Sequence, residues 1–409
     1  VPATPAYRLV ARAAVPLLPL VLRDDAARRA HAGRLAAPSE MARWSRDARD
    51  PARPLVWVHA ASVGEGLQAR AVLAALAERD PNLQLVATRF SASAERLAAA
   101  MPVAWTGYAP YDRPADVVAA LDALRPDVLV FAKLDVWPEL ATTAAARGAS
   151  VALVAGSVDP GSARLGWPAR GLARRGYGAL HAVAAIDRGD ADRLVRLGVD
   201  AGRIRITGDP RVDSVLEAVD EARRDPLPPL TADPRRTLLG GSTWPADEDV
   251  LLEALLQVRN AHPDAQLVLV PHQPDAEHLS RIEQAVASRG LGIGRWQGEA
   301  SGAAVVVVDR MGVLPRLYAG AIGAMVGGGF GQRGVHSVLE PAGWERPVVI
   351  GPNDRGVRDA RLLAGAGAVD APGPVGMHLR RHHQHHARPG AQQMGQREVG
   401  LRHRTVGRL

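Results

Sequence analysis

The sequence predicts an α/β protein built from two Rossmann-like βαβ domains, and three observations carry that prediction. Short runs rich in Val and Leu recur along the chain, and they are continuous rather than alternating, as in strands covered on both faces. Ala/Leu/Arg stretches of helical character lie between them. The series is interrupted once, at Asp220–Arg236 (DEARRDPLPPLTADPRR), where four prolines and a charge cluster predict an interdomain linker. At 409 residues the chain is also long for a single core. The expected layout is an N-terminal segment at 1–35, a first domain at 36–219, the linker at 220–236, a second domain at 237–376 and a tail at 377–409. Two such domains are expected to place a ligand cleft between them, at the carboxyl ends of their strands.

Taken in order, the predicted strands are Leu55–His59, Leu83–Thr88, Val128–Ala132, Val151–Val154, Ala182–Ile186 and Arg203–Thr207. After the gap they are Thr237–Gly240, Gln266–Pro271, Ala304–Asp309, Ala324–Gly327 and Pro347–Gly351. Helical patterns fall at Gly66–Glu78, Ala92–Ala100, Ala115–Leu124, Asp187–Leu197, Asp247–Ala261 and Ala276–Arg289.

Composition closes several routes. The chain has no cysteine, which excludes disulfides, thiolate metal sites and a cysteine nucleophile. Its formal charge of +7 invites a nucleic-acid reading, but +6 of it sits in Met377–Leu409, which leaves the rest near neutral. Only three Phe and five Tyr occur, and no basic run is interleaved with aromatics, so no nucleic-acid partner is expected.

The two ends stand apart. Leu9–Leu22 (LVARAAVPLLPLVL) is apolar over 14 residues, short of the ~20 that a membrane-spanning helix needs. Arg8 and Arg23 flank it, and Arg28, Arg29 and Arg34 follow. Such a segment suits an anionic membrane surface without crossing it. A helix packed on the protein's own core is the alternative; a signal peptide lacks a small-residue cleavage site. The tail holds six of the thirteen histidines and no apolar periodicity. His382, His383, His385 and His386 could take up a metal in vitro, but the composition reads as a solvated basic tail. Its abrupt onset also suggests a shifted reading frame, which sequencing the source gene would settle.

Four segments can carry chemistry. In LVWVHAASVGEGL (55–67) a strand ends near His59 and a helix starts around Gly64–Glu65. Ser62 and Gly64 permit close backbone approach, and Glu65 lies where the helix dipole favours a carboxylate, so it either caps the helix or faces a ligand. In VLVFAKLDVWPEL (128–140) Lys133, the only lysine against 49 arginines, and Asp135 follow a strand directly. They read either as strand-end site residues or as a surface ion pair. In the second half GGST (240–243) follows a strand and resembles an anion-cradling turn without a P-loop lysine, and Pro271–His272 close another strand. The most specific segment by physics is MVGGGFGQRGVHSVLEPAGWERPVVIGP (325–352). Its three glycines, a loop with Gln332 and Arg333, and His336–Ser337 ahead of a helix containing Glu340 suit a nucleotide; the other reading is a structural glycine turn.

In order along residues 7–370, these segments resemble the 3-deoxy-D-manno-octulosonic acid (Kdo) transferases of lipopolysaccharide assembly, a family of GT-B glycosyltransferases. HAASVGE (59–65) resembles the family's H-A-x-S-x-G-E, and YAPYDRP (108–114) its L-P-x-D-x-P. LDVWPEL (134–140) is similar to T-E-L-W-P-N-L, and TGDPRVD (207–213) to T-G-N-x-K-F-D. GST (241–243), VPHQP (270–274), DRMGVLPRLYAGA (309–321) and GVHSVLEPAGWERPVVIGP (334–352) follow the family pattern too, and the N-terminal YRLV stretch resembles its membrane anchor.

The resemblance implies a GT-B fold, two Rossmann-like domains facing a central cleft. It implies an inverting, metal-independent transfer of Kdo from CMP-Kdo, the donor substrate, to a lipid A precursor, with no cofactor, at the cytoplasmic face of the inner membrane. It places Glu65 at the catalytic base, and Asp135 and Arg211 at positions that stabilise the transition state. It assigns Ser62, Gly64 and Lys133 to the acceptor side. Ser242, Thr243, Pro271, His272, Met311, Gly312, Val313, Gly328, Gly329, His336, Ser337, Val338, Leu339 and Glu340 fall on nucleotide-binding positions. Several positions depart from the pattern. Lys133 stands where the family has an acid, Trp244 replaces a histidine, His272–Gln273 replace Arg-His, and Ser337 replaces an asparagine. AGSVDPGS (155–162) replaces N-A-R-x-S-x-x-S and loses an expected arginine.

Overall fold

Leu55–His59 (β1) shows why the first half folds as it does. Leu55 and Trp57 pack into one apolar cluster and Val56 and Val58 into another, so successive side chains feed both faces of a sheet. A strand buried on both sides needs helices on both sides, and the chain supplies them. The computed structural model describes residues 5–22, 24–95, 101–297, 302–353, 357–365 and 369–370. The chain divides into two units, with the break between Ser214 and Val215.

In the first unit, helices Pro5–Leu17 (α1) and Asp25–Ala48 (α2) precede β1. There follow Val63–Arg79 (α3), Gln84–Arg89 (β2), Trp105–Tyr108 (β3), Pro114–Leu124 (α4), Val128–Ala132 (β4) and Pro138–Ala146 (α5). Ser150–Gly156 (β5), Ala169–Gly178 (α6), Ala182–Ala185 (β6), Arg188–Leu197 (α7), Ile204–Ile206 (β7) and Pro210–Arg224 (α8) complete it, the last helix running on past the break. All pairings are parallel, in the order β3-β2-β1-β4-β5-β6-β7. The order reverses direction between β1 and β4, whose carboxyl ends therefore flank the crevice where such sheets bind ligands.

The second unit repeats the plan. Thr237–Thr243 (β8), Pro245–Ala261 (α9), Gln266–Pro271 (β9), Ala276–Ala287 (α10), Ile293–Arg295 (β10) and Val305–Val307 (β11) come first. Leu314–Leu317 (α11), Gly323–Val326 (β12), Leu339–Gly343 (α12), Val348–Ile350 (β13), Arg358–Gly365 (α13) and Val369–Asp370 (β14) follow. The parallel order is β10-β11-β9-β8-β12-β13-β14, with the reversal between β8 and β12.

Three expectations need correction. The stretch 220–236 is not an extended linker throughout: α8 continues to Arg224, and Val219, Ala222 and Leu230 are buried in the second unit's core. Their apolar side chains outweigh the local prolines. The boundary at 35/36 also fails, because α2 runs unbroken from Asp25 to Ala48 and buries Ala30, Ala37 and Met41. Residues 25–35 thus pack into the first unit. Helix α1 is half of what was expected: Val15 is buried, while Leu9, Val10, Leu17, Leu20 and Val21 lie 58–82% exposed across it and the turn after it. Among the described residues no helix is long and apolar enough to cross a membrane. The tail at 377–409 and most of the helix expected over 92–100 lie outside the described residues; residues 92–94 form a 3₁₀ turn.

Candidate active site

In the first unit the turn after β1 leads straight into α3. Ser62 is the N-cap, and Glu65, three residues on, reaches back so that its Oε2 accepts from the Ser62 N–H at 3.0 Å. Glu65 therefore does cap the helix. It is also 8% exposed and electrostatically coupled to the end of β4. Burial first, and then the charge of Asp135, push its carboxyl above the ordinary value, against the opposing pull of Lys133 and the Ser62 N–H. The capping reading of Glu65 is what the hydrogen bonds show. A Cβ placed on Gly64 would meet no atom within 4 Å, so that side of the turn stays open.

The partners of Glu65 come from the turn after β4. Lys133 takes a left-handed conformation (φ 63°), held by its N–H on Val154 O at 2.8 Å and by Ser157 N–H on its own carbonyl at 3.2 Å; its side chain is exposed. Asp135 accepts from Arg164 Nη2 at 2.6 Å. The other arm of Arg164 and the Tyr177 hydroxyl both donate to Leu134 O, at 2.6 and 2.5 Å. Arg164 lies in a 3₁₀ turn, Ala163–Leu165, just beyond the segment that lacks the family arginine. Sequence reasoning missed it, since only the folded turn brings it to Asp135.

Two further motifs hold this arrangement in place. Asp112 accepts from the Glu139 and Leu140 N–H groups (2.9 and 2.8 Å), capping α5, and from the Tyr7 hydroxyl at 2.6 Å. Burial pushes its carboxyl up to about 6 against those three bonds. Arg8 makes a bidentate pair with Glu139, which ties α1 to the same helix. Beneath them, His59 is fully buried and held down to about 4, chiefly by desolvation, so it is neutral. Its Nδ1 lies 3.0 Å from Thr88 Oγ1, which also takes the Trp57 indole N–H, and its ring meets Phe131 and Trp137 edge-on. Arg211 is already ion-paired: it donates to Asp209 Oδ2 at 2.9 and 2.6 Å, and Gln68 on α3 donates to the other oxygen. Burial alone would raise Asp209, but Arg211 holds it below its ordinary value.

In the second unit β8 ends in Ser242 (φ 53°) and Thr243, which is fully buried and donates to Glu248. Glu248 is also held by His278 at 2.8 Å and Arg281 at 3.0 Å. Asp247, likewise fully buried, accepts three backbone N–H groups: Trp244 (2.9 Å), Gly328 (2.8 Å) and Phe330 (3.1 Å). It thereby fastens the glycine loop after β12 to the turn after β8. The structural reading of those glycines is the one the packing supports. A Cβ on Gly328 would lie 2.0 Å from Gly334 O, and one on Gly329 2.6 Å from Gly351 N, so the protein's own backbone fills the space.

At the surface of this turn four side chains from three strand ends meet. Trp244 lies 4.8 Å from His272 between ring centroids, and His272 stacks on His336 at 4.4 Å and 15°. The Trp244 indole N–H faces His336 Nε2 at 3.2 Å, and the Arg333 guanidinium lies 3.8 Å from the Trp244 ring centroid. Burial foremost holds both histidines below their ordinary values; Arg333 adds to the effect, and at His336 so does His272, against the opposing pull of Asp247. Pro271 is buried at the end of β9. Ser337 is exposed, but Val338 is buried in an apolar cluster and serves packing. The short helix α12 starts only at Leu339, and burial pushes Glu340 up to about 7. Met311 is 68% exposed in the turn after β11, beside Gly312 (φ 84°) and Val313. Among the described residues no three His, Asp or Glu side chains are grouped to hold a metal ion.

Residues 33–214 match the family model described as 3-deoxy-D-manno-octulosonic-acid transferase (kdotransferase). The 3-deoxy-D-manno-octulosonic acid transferase of Bordetella pertussis is 30% identical over 385 residues, 90% of this chain and 87% of the relative. The protein of the same name from Chlamydophila psittaci is 28% identical, over 77% and 74%. Among solved structures, UDP-GlcNAc 2-epimerase from Neisseria meningitidis bound to UDP-GlcNAc superposes with a TM-score of 0.55 at 11% identity, covering 77% of this chain and 86% of that one. At that identity the likeness speaks for the fold alone.

Proposed function

This chain belongs to the 3-deoxy-D-manno-octulosonic acid transferase family, and from that premise we propose that it is an inverting, metal-independent GT-B glycosyltransferase. It moves Kdo from CMP-Kdo to a lipid A precursor in lipopolysaccharide core biosynthesis. The observation that carries this reading is Glu65, a buried carboxyl raised by burial and by Asp135 at the switch point of the first sheet. A sugar hydroxyl is a poor nucleophile near neutral pH, and a carboxyl tuned upward is a better base for it. In the proposed step the acceptor hydroxyl gives its proton to Glu65 as its oxygen bonds to the anomeric carbon. The bond from that carbon to the CMP phosphate breaks from the opposite side, and the electron pair leaves on the phosphate oxygen. Cationic side chains and backbone N–H groups stabilise the departing charge. The acceptor side draws on Ser62, Gly64 and Lys133, and Glu340 suits a ribose hydroxyl pair.

The exposed apolar residues of α1 beside Arg8 and Arg12 support a peripheral seat on the cytoplasmic face of the inner membrane. A second reading, a transferase for another nucleotide sugar, is favoured by the donor-side departures at Trp244 and His272, both of which lie in one cluster. Release of CMP from CMP-Kdo in the presence of a lipid A precursor tests the first reading. Turnover of a different nucleotide sugar alone supports the second, and binding without turnover of any donor points to a catalytically silent relative.

A further inference from the structure

We propose that Arg333, laid on the indole face of Trp244, is the cation that grips the phosphate of the bound nucleotide, with His272 and His336 completing the phosphate site. The proposal rests on the reading above that the second unit binds a nucleotide sugar. Arg333 lies in the loop of the glycine-rich segment that suits a nucleotide, and the proposal gives it a specific role there.

The geometry is specific. Trp244 follows β8, His272 follows β9, and Arg333 and His336 come from the loop after β12, so the turns after three strands supply one cluster. A guanidinium resting on an aromatic face at 3.8 Å keeps its N–H edges in plane and free to make paired contacts with phosphate oxygens. The ring also orders the long side chain before a ligand arrives, which reduces the entropy lost on binding. The indole N–H fixes His336 as well. With Nε2 accepting at 3.2 Å, the neutral ring carries its proton on Nδ1, which is left to donate.

The surroundings favour an anion. Four charged or titratable groups face the cluster: Arg333, the two histidines and Asp247. Asp247 is already satisfied by three N–H groups, and its neighbour Glu248 is tied to Thr243, His278 and Arg281. Both carboxylates are buried and hydrogen-bonded, and Arg333 is the exposed charge of the cluster.

Calorimetric titration of the full chain with CMP, UMP and cytidine tests this. Arg333→Gln is expected to weaken CMP about tenfold, as loss of a charge-assisted contact does, and to leave cytidine binding unchanged. Arg333→Lys should fall between the two. Trp244→Leu should weaken CMP in the wild-type background and add little to Arg333→Gln, because it acts through the arginine. If wild type binds CMP and Arg333→Gln binds it equally well, the proposal is overturned while the donor reading survives. Loss of CMP-Kdo affinity without loss of CMP affinity would overturn it too, by moving Arg333 to the sugar carboxylate. So would equal losses for CMP and cytidine. If the phosphate-dependent loss appears with UMP instead of CMP, the inference stands and the donor reading falls. If wild type binds neither monophosphate, both fall.

Discussion

At the switch point of the first sheet the gathered side chains are Glu65, Lys133 and Asp135 with its partner Arg164. At the corresponding point of the second they are Trp244, His272, His336 and Arg333. Both units are parallel sheets whose order reverses beside the first strand, which turns directly into a helix, although in the second sheet β11 is inserted between β9 and β10. They differ in what becomes of their acids. In the first, Glu65 and Asp135 lie close enough for one charge to raise the other's carboxyl, an arrangement suited to moving a proton. In the second, Asp247 and Glu248 are wholly buried, the one holding the glycine loop and the other tying β8 to α10, so the surface is left to Arg333 and the rings, which suits holding an anion. One scaffold thus places its carboxylates differently: in the first unit two lie within electrostatic reach of each other, and in the second both are enclosed by the packing.

The largest expected effect tests the proton-moving half. Glu65→Gln should lower the turnover of CMP-Kdo by about 10²–10⁴, the usual worth of a general base, with CMP affinity unchanged. Equal loss of CMP affinity would erase the division of labour. Next, Asp247→Ala leaves three N–H groups without their carboxylate and should cost about 3 kcal/mol or more in chemical denaturation. A loss below about 1 kcal/mol would mean the glycine loop is held by other contacts.

A third experiment uses pH. His59 is held near 4 in the folded protein against 6.5 ordinarily, so its contribution to stability is complete above pH 6.5 and is lost as the pH falls toward 4. The loss should approach about 3 kcal/mol and should be absent in His59→Gln. Denaturation curves of both proteins between pH 7 and 4 read it directly. The smallest effect is expected from Arg164→Gln. Asp135 would then lose its ion-pair partner and press harder on Glu65, so the acid limb of the pH–rate profile should move to higher pH, with the optimum rate within about tenfold of wild type. An unmoved limb would mean that Arg164 only braces the Leu134 carbonyl.

Much of the fold was legible because central strands must be apolar on both faces. Leu55–His59, Val128–Ala132 and Gln266–Pro271 begin and end where the residues predict. The strands that were missed, Trp105–Tyr108, Ile293–Arg295 and Val369–Asp370, are short edge strands, and pairing with one neighbour defines them more than their own composition does. Helix α2 was hidden by its arginines and Pro38, which suggested a basic flank, whereas its small residues and Met41 pack inward. On the site, Glu65 and Asp135 could be found because each closely follows a strand. Arg164 could not, and Arg333 could be named only as part of its loop, for their contacts with Asp135 and Trp244 cross turns whose path no local pattern encodes.

The residues alone determined two parallel sheets and the acid at the head of α3, since burial periodicity and helix-start chemistry are local. Only the tertiary structure decided which charges meet. Pairing Asp135 with Arg164, enclosing Asp247 in backbone N–H groups and setting Arg333 on Trp244 each depend on segments brought together by the packing of the sheets. Electrostatic coupling falls off over a few ångströms, so the character of each site was fixed by those contacts and not by the order of residues along the chain.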